Sequence, residues 1–373
     1  MDLAFTLNLH RAVDPDPGND LCWSPYSAIS ALGLLAAAAE GAARTELVAA
    51  LFGGAGSGHG CDDDLTRAAA LLTAAAELTE SPLGEQLVLA MSNTLWAAED
   101  LPIRHEFAKE LSRWPAGAIR GAPFGNTPDD TRKLINADVA ETTRGLIPEL
   151  IPPQAIRPDT IATLVSALYL RTPWRHPFSP ENTAPRPFHA PTGTYHPPTM
   201  RQTERLGYAH RDGWQVLMLP AAGGIDTVIL LPDKDLTVAE PEIDARGLAA
   251  LLAAPVPTRA QLSMPKVTVT TRVSLKHPLV EMGVRTPFAR SAAGLTRLCP
   301  DPRMRVDDVL HESVLMMDEQ GVEGAAATAV TMRKMAMVLP SDPVVVDVDR
   351  PFLIMVVHHD TRVPYFMARV VHP

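Results

Sequence analysis

Apolar residues fall at helical spacing near the start of the chain, gather into short β-type runs through its middle, and return as two dense runs at its end. In SPYSAISALGLLAAAAEG, Pro25 follows a serine at a capping position, and Ile29, Leu32, Leu34 and Leu35 suit a buried helix that stops near Gly41. A second helix over 42–51 is expected to end at Gly53. The glycines of 53–64 predict a flexible linker, and 65–78 a third helix whose only basic residue is Arg67. The run 87–95 alternates as a strand, 104–111 suits a helix, and TLVSALYLR at 163–171 is an apolar β run. QLSMPKV at 261–267 leads to a helix around 275–282.

One stretch, DEQGVEGAAATAVTMRKMAMVL at 318–339, breaks these patterns. At a period of two, Val322, Gly324, Ala326, Thr328, Val330 and Met332 share one face, and both faces are small or β-tolerant. The chain has 35 prolines but none between Met304 and Leu339, so each of these residues can donate to a central ladder. The glycines and the valine–threonine series disfavour a stable helix. Such a segment can live either as a solvated loop or as a strand inside a sheet.

With 373 residues and 46% hydrophobic content, the chain can bury a large core. A formal charge of −10, with no Lys/Arg run longer than two, makes nucleic acid a poor partner. Cys22, Cys61 and Cys299 are odd in number and far apart, which suits packing in a reduced compartment better than a disulfide framework. No signal peptide is read at the N-terminus, so the cytoplasm is the expected location, with non-classical export as the alternative. The longest apolar run, 29–39, is too short to span a bilayer, and no membrane partner is expected. GxSxG, HExxH and P-loop patterns are absent, so a hydrolase has no constellation to support it. His358, His359 and Asp360 read as a solvated hairpin tip rather than metal ligands, and neither metal nor cofactor is expected.

Glu319, Gly321, Val322, Glu323, Gly324, Ala325, Ala326, Ala327 and Thr328 resemble the hinge of the serpin family, E-E-G-T-E-A-A-A-A-T. The segment 24–51 resembles its S-P-x-S-I signature helix pair. Ile135, Asn136, Val139, Thr143, Gly145 and Ile147 resemble the helix that lies across its large sheet, with Asp138 in place of an aromatic residue. TLVSALYLR with Trp174 resembles L-V-N-A-x-Y-F-x-x-x-W, with Ser166 in place of asparagine. Pro265–Lys266 resembles L-P-K, and 350–354 with 365–370 resembles the closing hairpin, with Ala368 in place of glycine. The motifs keep family order from about Asn19 to Pro373.

The resemblance, to serpins of bacterial type, implies one monomeric α+β domain over 1–373: three β-sheets including a large central mixed sheet, eight or nine helices, and a reactive-centre loop over about 319–343. It implies an inhibitor rather than an enzyme, one that a serine protease cleaves and that traps the protease as its hinge enters the sheet. Sixteen residues from Glu319 places the cut at Met335–Ala336, which suits an elastase-, chymotrypsin- or subtilisin-like pocket. Arg333 or Lys334 would instead present a trypsin-like site. In the family pattern Lys266 pairs with Glu319, Trp174 covers the top of the sheet, and Ser24, Ser27, Ser166 and His311 lie where the central strands part. Val322 and Gly324 depart from the usual hinge, which keeps a non-inhibitory binding or carrier serpin as the alternative.

Overall fold

The computed structural model describes residues 3–53, 60–79, 87–111, 113–290, 293–322 and 342–373. The helix Pro25–Ala38 starts where the serine–proline pair places it: Ser24 is extended, its side chain accepts from the Ser27 N–H, and every residue of the helix is buried. Gly41–Phe52 packs beside it. The next helix, Cys61–Ala76, begins inside the segment predicted as linker. Three aspartates in its first turn favour the positive end of the helix, a charge effect that glycine content hides.

Among the described residues there are nine α-helices and three sheets. The larger sheet has nine strands and is antiparallel except where Val256–Pro265 and Val344–Asp347 run parallel at its edge. The closing strands Phe352–His358 and Pro364–Val370 lie in it, every residue buried. Phe188–Ala190 and Gly193–Tyr195 form a small hairpin. The second sheet has six strands in the order Val267–Ser274, Asp308–Met317, Gly321–Val322, Ala162–Pro173, Val88–Ala98 and Gly117–Ala122. It is also mixed, with parallel pairs at Asp308–Met317/Ala162–Pro173 and at Val88–Ala98/Gly117–Ala122.

The helix Pro128–Thr142 sends Ile135 and Val139 into a cluster with Trp96, Val165 and Ala167 from this six-stranded sheet. Asp138, where an aromatic residue is usual, pairs with Arg120, whose guanidinium lies 5.5 Å from the centre of the Trp96 ring. Two paired strands thus supply the aromatic face, Trp96 on Val88–Ala98, and the counter-charge, Arg120 on Gly117–Ala122. Replacing Arg120 with alanine leaves the Asp138 carboxylate, 14% exposed, without its cation. A loss of about 1–2 kcal/mol in thermal unfolding is expected. An unchanged melting temperature would show that the stack contributes nothing.

Candidate functional site

The strands Asp308–Met317 and Ala162–Pro173 are zipped along only part of their length. Their parallel ladder runs from Asp308↔Thr163 to Ser313↔Leu168. Beyond it, among the described residues, the pairings across the gap are made by a third segment. Gly321 pairs with Pro173, and Val322 pairs with Thr172 on one side and Met317 on the other, antiparallel to both. The first residues of the expected hinge therefore stand in the mouth of an opening between two central strands, and the Val322 side chain is 1% exposed there.

The turn that delivers them is built from side chains. After Met317, the Asp318 carboxylate accepts from the Gln320 and Gly321 N–H groups at 2.8 and 3.3 Å, and the Asp318 N–H donates to the Gly321 carbonyl at 3.1 Å. A Cβ on Gly321 would lie 2.2 Å from the Thr172 carbonyl oxygen, so only glycine permits this close approach. Trp174 closes the end of the sheet, 2% exposed: its indole N–H donates to the Asp318 carbonyl at 2.8 Å, and its backbone N–H to the Gln320 carbonyl at 2.8 Å. Lys266 Nζ lies 2.7 Å from Glu319 Oε2, and the Thr183 hydroxyl donates to Oε1 at 2.8 Å. Burial works to raise the Glu319 pKa, but these two hydrogen bonds outweigh it and hold the carboxyl below its usual range. The carboxylate stays charged and keeps the turn pinned.

Lower down, where the parallel ladder begins, a buried polar cluster ties the strands to the signature helix. The Ser24 N–H donates to His311 Nε2 at 3.0 Å, His311 Nδ1 lies 3.3 Å from Ser166 Oγ, and Ser166 Oγ lies 2.7 Å from Ser27 Oγ. Asn93 was not singled out by sequence reasoning. It sits opposite Ser166 on the adjacent strand, fully buried, and with its amide nitrogen facing the hydroxyls it donates to Ser27 Oγ at 3.1 Å and Ser166 Oγ at 3.2 Å. The amide usual at 166 is thus supplied by the next strand. A polar Ser92–Asn93–Thr94 run inside an apolar strand was the available signal.

Because His311 Nε2 already accepts from a backbone N–H, a proton there would face a donor, and burial lowers the pKa from 6.5 to about 4. Above pH 6.5 folded and unfolded states are both neutral at this site and stability is full. As pH falls the unfolded chain binds the proton first, so stability is lost between about 6.5 and 4, reaching roughly 3 kcal/mol. Denaturant unfolding at neutral and mildly acid pH checks this. A His311→Asn variant that loses as much over the same window would refute the assignment.

Other expected positions resolve differently. Glu323, Gly324, Ala325, Ala326, Ala327 and Thr328, together with Arg333, Lys334, Met335 and Ala336, lie outside the described residues. His358 is not solvated: it is 6% exposed at the end of a closing strand, and its Nδ1 accepts from the Thr361 N–H at 3.1 Å. His359 reaches back to Asp226 at 2.7 Å. No helix among the described residues is long and apolar enough to cross a membrane.

The family model described as serpin (serine protease inhibitor) matches residues 2–373. An uncharacterized serpin-like protein of Thermococcus kodakarensis is 26% identical over 372 residues, covering 99% of this chain and 84% of that protein. The native-state crystal structure of a thermophilic serpin, tengpin, superposes with a TM-score of 0.86 at 22% identity, over 100% of this chain and 93% of that one. A thyroxine-binding globulin complex with thyroxine superposes with a TM-score of 0.85 at 23% identity, over 100% and 98%. At these identities the two superpositions speak to the fold alone.

Proposed function

The chain belongs to the serpin family, and from that premise we propose that it is an irreversible inhibitor of a serine endopeptidase, consumed in the act. The protease serine attacks the carbonyl carbon of the residue before the cut, which we place at Met335. The Met335–Ala336 bond breaks, Ala336 leaves as a protonated amine, and an ester joins Met335 to the protease. The freed hinge then follows Val322 into the sheet and carries the protease with it.

The observation that carries this reading is the way Val322 enters the sheet, antiparallel to both of its neighbours. Continued insertion replaces one parallel ladder with two antiparallel ones, a pairing more stable per residue. About a dozen new ladder bonds at a net ~0.5–1.5 kcal/mol each give on the order of 10 kcal/mol. The small residues from Gly324 to Ala329 offer little bulk to oppose it.

Incubation with subtilisin, elastase or trypsin should give an adduct that survives denaturing electrophoresis, together with a released fragment beginning at Ala336. A fragment beginning at Lys334 or Met335 moves the cut to the basic pair and the partner to a trypsin-like protease. Cleavage with no adduct and no rise in melting temperature would overturn the inhibitor reading in favour of a binding or carrier serpin.

A further inference from the structure

Between Ala184–Pro185 and the small hairpin, the chain crosses one face of the nine-stranded sheet. Ala184 pairs with Thr199, the Arg186 N–H donates to the Pro197 carbonyl at 3.3 Å, and the His189 N–H donates to the Asp349 carbonyl at 2.7 Å. The crossing segment is therefore tied down at both ends, the second time just beyond the edge strand Val344–Asp347. Beneath it lies a cleft of about 190 Å³. Thr199 and Ser263 line this cleft from two adjacent strands, and Asp347, directly opposite Ser263 in the register, lines it from the edge strand.

Three polar groups of the cleft are left over by the fold. Arg186 is half-buried, and its guanidinium makes no ion pair or hydrogen bond with any described residue. Asp347 is exposed, and its carboxylate has no cation or donor among the described residues. The two line one cleft without pairing with each other. Ser263 is 2% exposed, and its hydroxyl has no hydrogen-bond partner. Buried hydroxyls are normally bonded, because one left unmade carries its full desolvation cost. The other groups are engaged. Asp349 is held by Arg350 Nη1 at 2.9 Å, and His189 Nδ1 lies 3.0 Å from the Thr194 hydroxyl. The Thr199 hydroxyl donates to the Pro197 carbonyl at 3.0 Å, which leaves its oxygen free to accept.

A cation and an anion kept apart across one small cleft match a ligand that carries both charges. We propose that the cleft binds a free α-amino acid, with its carboxylate on the Arg186 guanidinium and its ammonium on Asp347 and Thr199. The Ser263 hydroxyl can donate to the carboxylate or accept from the ammonium. The size agrees: the cleft is smaller than the roughly 300–1,000 Å³ of sites for drug-sized ligands, and an α-amino acid carries its two charges on neighbouring atoms. A simple inorganic ion would satisfy one of the two charged groups and leave the other. Val344–Asp347 pairs on one side only among the described residues, so a ligand bridging Asp347 to Arg186 also braces that edge strand. The site does not depend on the inhibitor reading.

Calorimetric titration of the full chain with each of the common free L-amino acids, at low salt, tests this. At least one should bind, while its N-acetyl derivative, which lacks the ammonium, and its amide, which lacks the carboxylate, should bind about tenfold more weakly or worse. Arg186→Ala and Asp347→Asn should each weaken the same amino acid by about tenfold or more. Should Arg186→Ala fail to fold, Asp347→Asn, at an exposed position, decides alone. Ser263→Ala should weaken binding about threefold or more and leave the melting temperature of the ligand-free protein equal or higher, since it removes a buried hydroxyl that has no partner. In the wild type, the amino acid at about ten times its Kd should raise the melting temperature by about 2 °C. Failure of every free amino acid to bind below about 10 mM overturns the site. Equal binding of the N-acetyl or amide form also overturns it, because one charge then suffices. Binding that survives both charge variants places the ligand elsewhere and overturns it too. The adduct assay with proteases decides the inhibitor reading separately, whichever of these results is found.

Discussion

On the inhibitor reading proposed above, replacing Val322 with arginine is expected to turn a trap into a substrate. The valine side chain is already 1% exposed between Thr172 and Met317, so any residue at 322 has to occupy that buried slot before the rest of the hinge can follow. An arginine there has two outcomes: it stays out and delays insertion, or it enters and loses its hydration without a facing carboxylate, at a cost of several kcal/mol. Trapping is a race between insertion and hydrolysis of the ester, so a penalty of even about 1.4 kcal/mol on insertion shifts the partition roughly tenfold towards release. The expected result is rapid cleavage of the loop, at least a tenfold fall in adduct per molecule cleaved, and no thermal stabilisation of the cleaved form. Val322→Thr, close in volume, should keep most of the trapping. Titration of protease activity against each variant measures the partition. Trapping by Val322→Arg at the wild-type stoichiometry would mean that insertion does not pass through the opening described here.

How much of this was legible in sequence differs from element to element. The helix at Pro25 and the closing strands could be read because capping chemistry and continuous apolar runs are local signals. The pairing of Lys266 with Glu319 came only from resemblance, since the two lie 53 positions apart and nothing local links them. Asn93, Arg120 and Trp96 were missed for a shared reason: each substitutes for a group expected on another element, and only strand register shows that they face it. The linker expected at 53–64 was drawn too long at its far end, where Cys61 to Asp64 form the first turn of a helix, because composition was read where helix-end electrostatics decided.

A buried ionic cluster that no motif announced carries the largest expected loss of stability. Glu240 receives Arg369 through two bonds of 2.7 Å, and His10 Nε2 lies 3.1 Å from the same carboxylate. The His10 Nδ1 accepts from the Trp23 indole at 3.0 Å, which puts the imidazole proton on the side facing Glu240. These three residues join the first helix, Leu3–Val13, the short helix Leu236–Glu242 and the last strand, so chain segments remote in sequence meet on one carboxylate. Replacing Glu240 with alanine leaves Arg369, 1% exposed, as an uncompensated buried charge, and a loss of about 3–5 kcal/mol is expected in urea unfolding. Replacing the ionic pair itself by Glu240→Leu with Arg369→Met should recover much of that, because the desolvation cost of both ions is removed together. The carboxylate also has an acid signature. Burial works to raise its pKa, but the hydrogen bonds from His10 and Arg369 outweigh that and hold it at about 2 against 4.5 in the unfolded chain. Its stabilisation is therefore complete above pH 4.5 and is lost as pH falls from there to about 2, a window below that of His311, with a total on the order of 3 kcal/mol. Glu240→Gln should flatten the lower window and leave the upper one intact. If instead that variant unfolds within about 1 kcal/mol of the wild type at neutral pH and follows the same acid curve, the three segments are held by apolar packing and the ionic cluster is incidental.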